Sequence, residues 1–391
     1  MRYLKYIAFI ILVLVSFVRC TEIYNPNIAS DKEALIVEGL ITDEAGPFTI
    51  KLSKAKPLPF DSVNSATYLV GKAQVSIVDN EMKTYTLKES SFGSYVTPTE
   101  FVTKIGNSYK LRIVTREGVR YESSFEKLMP PQGYDNIRAN YSTQDYLNGN
   151  NEMQNIAGAL ILVDLFKSLS SQDSIVSCRF NSNLTIQYSY TARDLTMNGK
   201  TEIDWWHWFR FRWKTVNLNT DNNITDEKIA GSSSSVINHS LGFMPFNLKS
   251  YNLALNYGMV IPEPIIIYYL RVNQYTINSD SHRFYKTANN QLSASGKLFD
   301  PITSQLQGNM KCLSNPSKIA LGIFEVSSVR KYAFLIKGSV NNKNVSVIQA
   351  PVMDVPNDSK FEYAVWDNYP TPVPDDPTFN PIPLPNWWLH N

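Results

Sequence analysis

Leu35-Ile-Val-Glu-Gly-Leu-Ile41, the turn Asp43-Glu-Ala-Gly-Pro47 and Phe48-Thr-Ile-Lys-Leu52 decide the fold class. The first run is short and rich in branched aliphatics. The last alternates apolar and polar residues, which places every second side chain on one face of a sheet. The same writing continues through Ala73-Gln-Val-Ser-Ile-Val78, Thr84-Tyr-Thr-Leu87, Tyr109-Lys-Leu-Arg-Ile-Val114 and Val119-Arg-Tyr-Glu-Ser-Ser-Phe125. Strands of this length between Gly, Asn and Asp turns predict an antiparallel sandwich over residues 34–129. Met129-Pro-Pro-Gln-Gly133 closes it, because proline has no N–H to give a central ladder.

Residues 134–350 read as a larger antiparallel β domain, a sandwich or a barrel. Strands are predicted at Ile156–Phe166, Leu184–Tyr190, Trp205–Val216, Met259–Ile277, Ile319–Val326 and Tyr332–Ile336. One helix is predicted over Asp280–Ala294, capped by Ser279 and followed by Gly296, a suitable C-terminal stop. Phe284, Ala288 and Leu292 form its apolar stripe, which leaves His282 on the polar side. Residues 351–391 hold nine of the 21 prolines and end near Trp387-Trp388. Such a tail favours extended conformations, and a Trp-ended extension is expected to lie along its own domain and bury its rings; a flexible docking segment is the alternative.

The address is written in residues 1–20. Arg2 and Lys5 precede the apolar run Tyr6–Val18, and Cys20 follows. A run of 13 residues suits a signal peptide better than a span, which needs roughly 20. Residues 1–19 are expected to be the signal and Cys20 the lipidated first residue, with 20–33 a tether. Arg19 stands where lipoprotein signals prefer a small residue; an uncleaved anchor or plain secretion are the alternatives. Without Arg2, Lys5 and Arg19 the chain carries 34 basic and 35 acidic side chains. That balance leaves no basic field for nucleic acid. Lipidation of Cys20 would leave Cys178 and Cys312, which an oxidising compartment would allow to pair; two unrelated buried thiols are the other reading.

Catalytic motifs are sparse. The four histidines are His207, His239, His282 and His390, and none sits in HExxH. Nor is there a CxxC, a GxSxG elbow or a GxGxxG after a strand, so neither an enzyme nor a cofactor is expected. The densest aromatic stretch is Trp205-Trp-His-Trp-Phe-Arg-Phe-Arg-Trp213. As a strand it would turn Trp205, His207, Phe209, Phe211 and Trp213 to the core. Trp206, Trp208, Arg210 and Arg212 would share the other face with Lys214. Indoles beside cations could stack a sugar or peptide or dock a partner; arginines stacked on an ordinary sheet surface are the alternative.

Cys20-Thr-Glu, Leu35–Ser53, Ala73-Gln-Val-Ser-Ile77, Gly106–Ile113, Gly296-Lys-Leu-Phe-Asp-Pro301 and Leu321–Val329 together resemble a Bacteroidota lipoprotein family, domain of unknown function 4249. The resemblance implies an outer-membrane lipoprotein, commonly encoded beside TonB-dependent receptors, with a transthyretin-like or immunoglobulin-like N-terminal sandwich. It offers no catalytic residues to carry over. On it rests the expectation of a surface-facing accessory protein that binds a ligand for, or caps, a TonB-dependent transporter, with the periplasmic face of the outer membrane as the alternative address. A structural or adhesive envelope protein is the alternative, and a hydrolase with scattered catalytic residues a more distant one.

Overall fold

The computed structural model describes residues 34–55, 67–147, 152–165, 177–191, 209–218, 222–225, 236–246, 267–294, 306, 308–338, 343–352, 363–366 and 369–371. The chain is mainly β with one helix among these residues. The first half holds β1 (Ala34–Thr42), β2 (Thr49–Ala55), β3 (Thr67–Leu69), β4 (Gln74–Asp79) and β5 (Thr84–Thr86). It continues with β6 (Lys88–Ser91), β7 (Ser94–Val96), β8 (Ser108–Val114), β9 (Arg120–Ser123) and β10 (Glu126–Lys127). The second half opens with β11 (Tyr134–Leu147), β12 (Met153–Leu165), β13 (Ser177–Thr191), β14 (Phe209–Asn217), β15 (Asn223–Ile224), β16 (Val236–Pro245) and β17 (Ile267–Ile277). Helix α1 (Ser279–Ala294), β18 (Met310–Cys312), β19 (Ala320–Lys337), β20 (Ser346–Ala350), β21 (Tyr363–Trp366) and β22 (Tyr369–Thr371) complete it.

Two hydrophobic cores result. In the first, the sheet of β1, β2 and β7 faces the sheet of β4, β8 and β9. Alternation delivers Leu35, Val37 and Ile41 from β1 and Tyr109, Leu111 and Ile113 from β8. Phe101 fills the centre, edge-on to Phe48, Tyr85 and Tyr109 at 6.0, 4.8 and 5.9 Å. In the second core, Phe180, Leu184 and Ile186 of β13 and Leu270 and Val272 of β17 meet Ala159, Ile161 and Val163 of β12. Among the described residues the largest sheet runs from β22 to β6 without closing on itself, so it is open and not a barrel.

One strand joins the two cores. Residues 320–327 of β19 run parallel to β1, and residues 328–336 run antiparallel to β17. The sequence predicts two strands here, split by the polar stretch Ser327-Ser-Val-Arg-Lys331. The structure keeps it extended, because buried Ser327 donates to Glu325 and the following residues pair with β17. The division at residues 129 and 134 needs the same correction. β18 pairs with β9, and the first half of β19 with β1, so residues 310–327 complete the first sandwich.

The tail also joins the sheet. β21 pairs with β14 through Phe209↔Val365, Arg210↔Ala364 and Phe211↔Tyr363, and β22 turns back on it. Trp387 and Trp388, at the end of the extension, fall outside the described residues.

Helix α1 corrects two expectations. Asn278, not Ser279, is the cap: its Oδ1 accepts Ser281 N–H at 2.8 Å and its carbonyl accepts His282 N–H at 3.0 Å. The stripe ending at Leu292 is not the buried face, since Leu292 is 55% exposed whereas His282 is buried. The inner face is polar and hydrogen-bonded. His282 Nε2 lies 2.8 Å from Thr225 O, and Asn289 Nδ2 donates to Asn222 O at 2.7 Å.

Candidate functional site

The period-two register of β13 sends Cys178 and Phe180 into the second core and turns Arg179 to the opposite face. Arg179 pairs directly with Tyr275 of β17, and its guanidinium carbon lies 4.3 Å from that ring centre. Helix α1 brings Tyr285 to the same guanidinium, ring centre at 4.9 Å. From β19 comes Glu325, 1% exposed. Arg179 Nη2 donates to both its oxygens, at 2.9 and 3.1 Å, Ser327 Oγ donates at 2.8 Å, and the Tyr285 hydroxyl donates to Oε2. A carboxylate has about four lone-pair sites, and here four donor contacts occupy them.

A charge this deep is tolerable only when paired and hydrogen-bonded. Burial opposes the Arg179 charge, but Glu325, with help from Tyr285 and Tyr275, more than offsets it, so the guanidinium holds its proton above its ordinary range. Burial raises the Tyr285 phenol far above 10, and the Glu325 charge raises it further. Tyr275 moves up for the same first reason. A phenol so held stays a donor, and a carboxylate so saturated has no site left for a substrate proton. The cluster acts as a joint between helix and sheet.

A second buried carboxylate, Glu126, sits at the same seam. It accepts from Ser124 Oγ at 2.6 Å, from Asn309 Nδ2 at 2.8 Å and from Asn278 Nδ2. Asn309 also grips both backbone groups of Phe324, at 2.7 and 3.0 Å, one residue before Glu325. Glu126 thus ties the exit of the first sandwich to the cap of α1. Among the described residues no three His, Cys, Asp or Glu side chains gather as a metal site.

The residues singled out by sequence fare differently. Cys20, Trp206 and Trp208 lie outside the described residues, as do His207 and His390. Arg210 and Arg212 lie on β14, opposite Tyr190 and Tyr188 of β13. His239 of β16 contacts Asn223 Oδ1 and the Phe180 ring. The Cys178–Cys312 disulfide is corrected: both thiols are free. Cys178 belongs to the second core, whereas Cys312 sits on β18 against the first. Burial pushes the Cys178 thiol up to about 12. In native protein at neutral pH, Cys312 is expected to alkylate and Cys178 only after unfolding, since the thiolate is the reactive form. Mass spectrometry of iodoacetamide-treated protein checks this, and a disulfide-linked peptide in unreduced digests would refute it.

Arg179, Glu325, Tyr285 and Glu126 were missed by sequence reasoning. The signal was present for two of them: Glu325 interrupts Leu321-Gly-Ile-Phe-Glu-Val326, and Arg179 follows Cys178 at the head of a strand. A charge inside a buried strand needs a partner, but the partners lie 146 residues apart.

Residues 21–333 match the family described as Domain of unknown function (DUF4249). The chain belongs to that family. The DUF4249 region takes in the first sandwich, most of the second core, α1 and β19 as far as Ala333, so the joint of Arg179, Glu325 and Tyr285 lies wholly within it. The tail hairpin of β21 and β22 lies beyond it. No curated protein and no solved structure matches the chain.

Proposed function

We propose that this protein is a lipid-anchored outer-membrane accessory protein of a Bacteroidota cell, which binds a ligand for, or caps, a TonB-dependent transporter. The observation that carries this reading is family membership over residues 21–333, beginning directly behind Cys20 and its basic-then-apolar leader. The resemblance supplies the transporter as neighbour. The buried joint supports a binding role over a catalytic one, because Glu325 and Arg179 are engaged with each other and with α1. Trp206, Trp208, Arg210 and Arg212 are the docking surface, Trp and Arg being the residues that concentrate binding energy at interfaces. The chain acts without a cofactor and reaches the membrane through its lipid, outward-facing.

Two measurements test it. Cys20→Ala is expected to leave an uncleaved precursor that no longer takes up a palmitate analogue. Trp208→Ala with Arg210→Ala is expected to weaken recovery of a TonB-dependent receptor from detergent extracts by about tenfold or more while leaving the thermal midpoint in place, since hot-spot truncations cost about 2 kcal/mol. Recovery of no transporter by the intact lipoprotein would reject the uptake role in favour of a structural one.

A further inference from the structure

The end of the first sandwich where β1 begins exposes apolar side chains beside cations. Ala34 pairs with Ala55, Ser53 pairs with Leu69, and Leu35 N–H donates to Ile319 O. The start of β1, the end of β2, β3 and the entry to β19 therefore share this end. In the facing sheet the same end holds the β8–β9 turn. Val114 pairs with both Gln74 and Arg120, and Leu313 N–H donates to Arg120 O. The turn lies beside β2: the Glu117 carboxyl is lowered first by the Thr115 hydroxyl, and Lys54 adds its charge.

Leu69, Phe92 and Leu313 are 54%, 58% and 52% exposed here. The Phe92 ring lies over Gly71, where a Cβ would come within 2.2 Å of it, so it rests beside Leu69's strand rather than in the core. Lys72, Arg116 and Arg120 are exposed at the same end. Aromatic and aliphatic side chains beside Lys72, Arg116 and Arg120, which outnumber the one exposed acid of that turn, Glu117, suit the boundary between acyl chains and anionic headgroups.

We infer that this end of the first sandwich is a membrane-contact face, on which Phe92, Leu69 and Leu313 enter the headgroup boundary while Lys72, Arg116 and Arg120 meet lipid phosphates. The inference rests on the lipid-anchor reading of Cys20. Thirteen residues, 21–33, separate that cysteine from β1. Such a chain spans at most ~45 Å whatever its conformation. The start of β1 is thus where that tether enters the folded body. Tethering at that distance gives a local concentration on the order of millimolar, so a weak patch suffices to set the orientation of the domain. Single chain anchors plus a basic patch are a known physical combination, each basic residue adding to retention on an anionic leaflet.

The test uses the chain from Thr21 onward, which lacks acyl groups, so its outcome does not depend on lipidation at Cys20. Cosedimentation is measured with vesicles of phosphatidylethanolamine and phosphatidylglycerol, and with phosphatidylcholine alone. The expected result is weak partitioning to the anionic vesicles, reduced by raised salt. Phe92→Asp with Leu69→Asp is expected to lower it about tenfold. Lys72→Glu with Arg116→Glu is expected to remove the preference for anionic lipid. All four sites are exposed, and an unchanged thermal midpoint verifies folding. The inference is overturned if the unaltered chain does not partition, if neither pair of substitutions alters partitioning, or if the chain self-associates without vesicles and Phe92→Asp abolishes that.

Discussion

Gly322→Ala and Gly308→Ala are each expected to prevent folding, whereas Gly118→Ala should fold. All three positions look interchangeable as glycines in a β-rich sequence, but their surroundings differ. Gly322 has φ +83° and pairs with Val37 in the parallel seam between β1 and β19; a Cβ there would lie 2.0 Å from Val37 O. A Cβ on Gly308 would lie 1.5 Å from Gly322 O. Both obstacles are backbone, so no side chain can rotate away, and relief requires parting the strand that joins the cores. Damage of that kind falls in the exceptional class above about 4–5 kcal/mol, a large part of a domain's total of about 5–15 kcal/mol. Gly118 also has positive φ, +78°, but nothing lies within 4 Å of its Cβ position. Its cost is conformational, about 1 kcal/mol. Soluble yield and thermal denaturation of the three variants decide the matter. A Gly322→Ala protein that melts with the unaltered chain would show that the seam is not packed as described.

What the sequence revealed, and what it hid, follows from the range of each interaction. Alternation in Phe48–Leu52 and Tyr109–Val114 is local, and the structure returns both as strands with buried alternate residues. The pairing of β1 with β19 joins residues 285 apart, Leu35 with Ala320, and no local pattern encodes it. For the same reason the first sandwich could not be seen to borrow residues 310–327 from the far end of the family region. Apolar spacing is a poor guide to the buried face of α1, since Leu292 is exposed. The buried face instead carries His282, Tyr285 and Asn289, each satisfied by a specific acceptor or donor. Two cysteines left over by counting suggested a bridge, but counting carries no geometry, and the two thiols belong to different cores.

Glu325→Ala is expected to destabilise the protein by about 3–5 kcal/mol, the cost of leaving a buried charge without its partner. The variant strands the Arg179 guanidinium between Tyr275 and Tyr285 and removes the acceptor for the Tyr285 hydroxyl and Ser327. Removing both charges with Arg179→Met and Glu325→Leu should restore part of the loss, because no charge stays buried, although the Tyr285 and Ser327 hydroxyls still lack their acceptor. A double-mutant cycle in urea measures the coupling. If each single variant is neutral, the pair is not buried as the structure shows. Tyr285→Phe separates the hydroxyl from the ring. It keeps the ring against Arg179 and should cost about 1.5–3 kcal/mol, as for a hydrogen bond to a charged group. It also carries a pH signature whose sign is fixed. The folded phenol titrates above its unfolded value of 10. Its contribution is therefore complete below pH 10 and is lost as pH rises beyond it, where only the unfolded chain releases the proton. Unaltered protein should lose stability more steeply above pH 10 than Tyr285→Phe, while the two curves run parallel near neutrality. Equal slopes in alkali would mean that Tyr285 is already exposed in the folded protein and that α1 is not fastened to β19 through it.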